Sequence, residues 1–107
     1  MKHIKNTNNS RKGDFAEYYA VTWLWDNGYE VFQNSGCTGP VDMIAMDKKG
    51  NIMLIDVKTI HTEQDYEQLK KTRTKTQEKL GVKLLGFNPE TRELNFTNHG
   101  VRGRPKK

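Results

Sequence analysis

The sequence predicts an α/β fold, a central mixed β-sheet flanked by helices, and three observations carry that reading. A stripe of Ala20, Val21 and Leu24 at helical spacing is closed by Gly28. Two apolar runs, residues 41–46 and 51–58, flank the turn Asp47-Lys48-Lys49-Gly50 as a hairpin does. A capped helical segment then precedes a further apolar run at residues 82–87. Helix, three-stranded meander, helix and strands sum to an α/β sandwich.

Taken in order, residues 1–12 are polar and basic and read as a mobile arm. The first helix is expected from about Asp14 to Asn27, with a short strand over residues 29–33 after it. Residues 34–39 are small, polar and glycine-containing, hence a loop before the hairpin. A long polar stretch, residues 59–79, is crowded with Lys70, Lys71, Arg73, Lys75 and Lys79. Residues 62–71 suit either a helix or an open loop. From Thr74 a helix is expected, because Thr74 with Gln77 makes a capping box and Leu80-Gly81 a stop. Residues 82–87 follow as a strand, Asn88-Pro89-Glu90-Thr91 as a turn, and residues 93–96 as an edge strand. The organisation is a basic arm (1–12), one domain (13–98) and a basic tail (99–107).

At 107 residues, 34% hydrophobic and 29% charged, the chain suits one modest core. No apolar run approaches a membrane span, and the first residues lack the apolar core of a signal peptide, so no membrane partner is expected. A lone Cys37 rules out an internal disulfide and fits a reducing, cytoplasmic setting. The net charge of +5 makes a polyanion the leading partner class, with Lys70, Lys71, Arg73 and Lys75 of the polar stretch as candidate contacts. His3, His61 and His99 give no zinc-ligand spacing, and neither a glycine-rich phosphate loop nor a nucleophilic serine pattern is present.

The chemistry concentrates at the hairpin. At period two, Ile52, Leu54, Asp56 and Lys58 share one strand face, opposite Met53, Ile55 and Val57. Asp56 and Lys58 are then roughly 7 Å apart along the strand. Phosphodiester hydrolysis needs an activated water and neutralised phosphate charge, and a divalent cation on one or two carboxylates supplies much of both. Asp42 and Asp56 on adjacent strands can cradle such a cation, with the Val57 carbonyl as a further ligand. Lys58 is placed to orient the attacking water or to offset charge on phosphorus. Glu17, on the apolar stripe of the first helix, needs a partner there, and a metal site beneath the helix is one. Each residue also has an ordinary reading: Asp42 a strand start, Asp56 and Lys58 an ion pair, Glu17 a snorkelling side chain. Agreement in spacing and face favours the site.

The run from Gly13 to Lys58, with Glu17 on a helix, Pro40-x-Asp42 on one strand and Asp56-x-Lys58 on the next, resembles the PD-(D/E)XK nuclease superfamily. Within it the chain is most similar to small Holliday-junction resolvases and to phage- and intron-encoded homing endonucleases. The segment from Thr72 to Gln77, followed by Leu80-Gly81-Val82-Lys83, resembles the second helix and next strand of the homing group. Val41 separates Pro40 from Asp42, so the strict Pro-Asp pair is absent. The resemblance implies a restriction-endonuclease-like core, metal ligands at Asp42 and Asp56, a catalytic Lys58, and supporting Glu17 and Gln77.

The tail carries Arg102-Gly103-Arg104-Pro105 and then Lys106-Lys107, which resembles an AT-hook core. Glycine lets such a chain lie flat and two arginines enter a narrow minor groove; a nonspecific phosphate-binding tail is the other reading. The expectation is a Mg²⁺-dependent DNA endonuclease, with Mn²⁺ as a substitute, acting on duplex or branched DNA. Cutting two strands favours a homodimer or larger even assembly. The alternative is a non-catalytic DNA-binding accessory protein on a nuclease fold.

Overall fold

The computed structural model describes residues 2–36, 38–69 and 71–97. In chain order the elements are α1 (Lys2–Asp26), β1 (Glu30–Gln33), β2 (Met43–Met46), β3 (Ile52–Thr59), α2 (Glu63–Leu69), α3 (Lys75–Leu80), β4 (Lys83–Phe87) and β5 (Leu94–Phe96). The five strands form one sheet in the order β1-β2-β3-β4-β5. Every neighbouring pair is antiparallel except β3 with β4, which are parallel with Asp56 opposite Leu84 and Thr59 opposite Phe87. Helices α2 and α3 make the crossover that a parallel pair requires. The expected α/β architecture on a mixed sheet is the one found.

The larger core lies between α1 and one sheet face. Ala16, Ala20, Val21 and Leu24 of the helix meet Met43, Ala45, Ile55, Leu85, Phe87 and Leu94 of the strands, all buried. Small Ala16 and Ala20 let the helix axis approach the sheet, so the larger strand side chains fill the gap between them. Trp23 packs on this core while Trp25, two residues on, is 59% exposed. On the opposite face a smaller cluster of Ile60, Leu69 and Leu84, with Tyr66 against it, seats α2. Gly86 makes that seat possible: a Cβ there would stand 3.2 Å from both Ile60 Cδ1 and Leu69 Cδ2.

Two local readings resolve. Residues 62–71, open between helix and loop, contain α2. The helix after Thr74 forms as expected: the Thr74 hydroxyl accepts from Gln77 N, the Gln77 side chain accepts from Thr74 N, and Gly81 closes the end at φ 75°. One expectation is overturned. Helix α1 begins at Lys2, not near Asp14, so the stretch read as a mobile arm is helical. Polarity in the sequence does not by itself set the backbone conformation. Residues 2–12 contain no proline or glycine, and a helix nucleated by the docked segment gains a hydrogen bond for each residue it adds. Among the described residues no helix is long and apolar enough to cross a membrane. Cys37, Lys70 and the tail from residue 98 lie outside the described residues.

Candidate active site

The sheet end where β3 finishes and β2 starts gathers the candidate residues. Asp42 immediately precedes β2, and its position is fixed from three sides. Its amide donates to Ile55 O at 2.8 Å and its carbonyl accepts from Asn34 N at 2.9 Å, extending the ladder beyond the strand. The Asn34 side chain donates to Thr38 O at 2.6 Å and to Val41 O at 2.9 Å, cinching the intervening loop. The third tie is chemical: the Val57 amide donates to Asp42 Oδ2 at 2.7 Å. A strand residue turns its N–H and C=O to the same edge, so the Val57 carbonyl faces that edge too.

Asp56 points from β3 to the face opposite α1 and is only 7% exposed. Gln77 of α3 donates from Nε2 to Asp56 Oδ2 at 3.0 Å and to Pro40 O at 2.9 Å. One amide therefore braces a carboxylate and the loop that delivers the other. Because Gln77 Oε1 closes the capping box on Thr74 N at 3.1 Å, the brace is anchored in its own helix end. Lys58 extends from the same strand face, half exposed, with Nζ 3.2 Å from Asp56 Oδ2.

The electrostatics reflect two neighbouring carboxyls. Asp42 is pushed up to about 7, first by burial, then by a hydrogen bond shared with Asp56, with the charges of Asp56 and Glu17 adding to it and the Val57 amide opposing. Glu17, partly buried on α1, is also raised, by burial and then by the nearby charges of Asp14 and Asp56. Asp42, Asp56, Lys58, Glu17 and Gln77 are thus brought to one place, with Asp42 and Asp56 in direct contact.

Among the described residues no group of three or more His, Cys, Asp or Glu side chains is arranged to hold a metal ion. The donor set at the sheet end is narrower: two touching carboxylates and a backbone carbonyl, oxygen throughout. That set fits Mg²⁺, which binds through one or two carboxylates and keeps its other positions for water and phosphate. A carboxyl raised to about 7 by burial and then by its neighbour is also a group that a cation would relieve.

The expected DNA contacts divide. Lys71 and Lys75 are exposed. Arg73 departs from its expected place among the contacts: Nη1 donates to Val82 O at 3.0 Å and Nε is buried without a partner. The β-strand that follows α3 leaves the Val82 carbonyl facing it, and the guanidinium turns inward to satisfy it. Lys70, Arg102, Arg104, Lys106 and Lys107 lie outside the described residues. Asn34 was not anticipated, although an Asn two residues before Gly36 signals the Asx turn that its Oδ1 makes with Gly36 N at 2.9 Å. A separate cavity of about 360 Å³ lies beside α2, lined by His61, Glu63, Tyr66 and Asn88 among others. None of the candidate catalytic side chains lines it.

No protein-family model matches the chain, and no curated protein sequence matches it. A solved structure does: Hjc, a Holliday junction resolvase from the archaeal hyperthermophile Archaeoglobus fulgidus, with a TM-score of 0.55 at 20% identity over 90% of this chain and 80% of that chain. The likeness at that identity is one of fold, a mixed sheet flanked by helices.

Proposed function

We propose that this chain is a metal-dependent DNA endonuclease of the PD-(D/E)XK type. The observation that carries the reading is the Asp42–Asp56 contact, braced by Gln77 and bordered by Lys58. A binding protein gains nothing from two neighbouring carboxylates facing a polyanion, whereas metal-dependent phosphodiester hydrolysis uses such a pair to hold its cation.

Mg²⁺, or Mn²⁺ in its place, held by Asp42, Asp56 and the Val57 carbonyl would neutralise phosphate charge and acidify a water. The side chains divide the remaining work. Val57 N–H and Gln77 Nε2 each hold one carboxylate in a single rotamer, which keeps the pair preorganised. Lys58 Nζ, one contact away from Asp56, has donors left to orient the attacking water and to meet a non-bridging phosphate oxygen. Glu17 closes the α1 side and adds negative charge that favours a bound cation. Lys71, Lys75 and the basic tail draw the backbone in. Duplex or branched DNA is the substrate class, and two-stranded cleavage calls for a homodimer or larger even assembly, each copy cutting one strand.

The test is to incubate purified protein with linear, nicked, flap and four-way-junction DNA, with Mg²⁺, with Mn²⁺ and with chelator. Cleavage is expected only with the cations. Asp56→Ala and Lys58→Ala are each expected to lower it by about 10² or more while DNA binding persists, since their work is on the transition state. Near wild-type cutting by Asp56→Ala removes that carboxylate from the mechanism; binding without cutting on every substrate leaves the accessory reading in its place.

A further inference from the structure

We propose that Arg92 is a preorganised binding site for a backbone phosphate flanking the one that is cut; this rests on the DNA-nuclease reading above. Arg92 is the one non-glycine among the described residues with positive φ, at 67°. An arginine there is strained, and glycine is the residue that the conformation favours. The turn does not depend on its side chain. Arg92 N donates to Asn88 O at 2.7 Å, Asn88 N donates to Glu93 O at 2.9 Å, and Asn88 Oδ1 takes the amides of Glu90 and Thr91 at 2.8 and 3.2 Å. Backbone and Asn88 hold the loop; the guanidinium is free for other work.

That guanidinium is fixed in place. Its central carbon lies 4.8 Å from the Phe15 ring centroid and 5.3 Å from that of Tyr19, both on α1. The two rings are themselves pinned on buried Phe87, with centroids 6.0 and 5.0 Å from it. Among the described residues no carboxylate pairs with Arg92, although an arginine on a surface rich in acids commonly finds one. Stacking occupies the flat face of a guanidinium and leaves its edge donors for a bidentate acceptor, and phosphate fits that fork. The result is a surface-exposed cation held against two rings, with no carboxylate partner among the described residues.

Its location gives it a purpose. Phe87 of β4 lies opposite Thr59 of β3, so the turn carrying Arg92 leaves the sheet at the end where Lys58 and Asp42 sit. Ligands of such sheets bind outside the carboxyl ends of the parallel strands. Across that end, β2, β3 and β4 are consecutive, so β4, from which the Arg92 turn departs, lies about 10 Å from the strand that Asp42 opens. Phe15 and Glu17, two residues apart, leave α1 on different sides, Phe15 against Arg92 and Glu17 within the field of Asp56. DNA lying across this end of the sheet, with its scissile phosphate at Asp56 and Lys58 on one side, reaches Arg92 on the α1 side with another phosphate.

The experiment measures affinity for labelled duplex and four-way-junction DNA across a salt series, without divalent cations so that nothing is cut, and the melting temperature of each protein. The chains are wild type, Arg92→Gly and Arg92→Lys. Arg92→Gly relieves the left-handed strain as it removes the ring contact, so its melting temperature stays close to wild type. Its affinity is expected to fall roughly tenfold at moderate salt, and the slope of log K against log salt to shrink by about 0.9, the release of one phosphate's counterions. Arg92→Lys keeps the slope and loses part of the affinity, because the charge remains and the flat fork does not. A wild-type slope in Arg92→Gly overturns the assignment whatever the affinity does, since no phosphate contact was then lost. Wild-type protein that binds none of these DNAs overturns the nuclease reading, and this one with it.

Discussion

Two carboxylates in contact away from bulk water cannot both ionise cheaply, and at Asp42 the cost has a sign that can be measured. Its carboxyl is held up to about 7, against an ordinary value of 3.8, by burial and by Asp56. The folded chain therefore grips that proton more tightly than the unfolded chain does. The stabilisation is complete below the unfolded value and is lost as pH rises through about 7. Without divalent cation, the melting temperature of the wild type is expected to drop between pH 5 and pH 8 by several degrees more than that of Asp42→Asn. Asparagine keeps an oxygen for the Val57 amide and carries no charge, so the variant is at least as stable at pH 8 and does not cut DNA. Mg²⁺ should restore much of the wild-type loss at pH 8 and little in the variant, which a thermal melt with and without the cation checks. Equal pH dependence in both chains would show that the pair is not strained. Gln77 is the complementary case. Gln77→Ala frees Asp56, unties Pro40 and opens the capping box, at a cost of about 1–2 kcal/mol in stability and a 10- to 100-fold rise in the Mg²⁺ needed for half-maximal cutting. A merely structural glutamine would change the melt and leave the metal requirement alone.

At the scale of elements, what could be read from the sequence was whatever is settled within a few residues. Thr74, Gln77 and Gly81 define α3 because a capping box and a left-handed stop are local devices, and both formed. The period-two reading of β3 put Asp56 and Lys58 on one face for the same reason, and the 3.2 Å ion pair follows from it. The start of α1 was not legible: residues 2–12 are mostly polar and show no apolar stripe in the sequence, and a helix can extend from a docked segment without one. Nor was the fate of Arg73, which depends on a carbonyl nine residues away that only the crossover brings near. Gln77 could be named through a resemblance, but its grip on Pro40 spans 37 residues and is a product of the tertiary fold. The crossover also yields a sharp test of packing. Gly86 lies opposite Lys58 in the parallel register, and a methyl there meets Ile60 and Leu69 at 3.2 Å. Gly86→Ala is expected to destabilise the chain by about 1–3 kcal/mol by forcing α2 outward, read as a lower denaturation midpoint at unchanged slope. Unchanged stability would mean that α2 is seated more loosely than the two contacts require.

For the whole molecule the governing quantity is charge. A net charge of +5 is small for 107 residues, but it is unevenly placed along the chain. The last seven residues hold Arg102, Arg104, Lys106 and Lys107 with no acidic side chain among them. The folded domain instead keeps a concentration of carboxylates, Glu17, Asp42 and Asp56, where the proposed reaction places the phosphate. DNA approaching that end meets repulsion unless a cation is bound or cationic groups elsewhere hold the backbone. Affinity and cleavage should therefore be separable, with the basic segments setting the first and the carboxylate pair the second. Removing residues 101–107 is expected to weaken binding to every DNA tested and to lower the slope of log K against log salt by roughly 3 to 4, if all four cations neutralise phosphates. The rate of cutting at saturating protein should stay within about twofold of the full chain, because no group in the tail acts on the transition state. Duplexes rich in A·T separate the two readings of the tail: a minor-groove hook loses its preference for them on truncation, and a plain phosphate-binding tail has none to lose. A slope that does not change on truncation would assign the salt dependence to the domain itself, where Lys58, Lys71, Lys75 and Arg92 are among the exposed cations of the described residues.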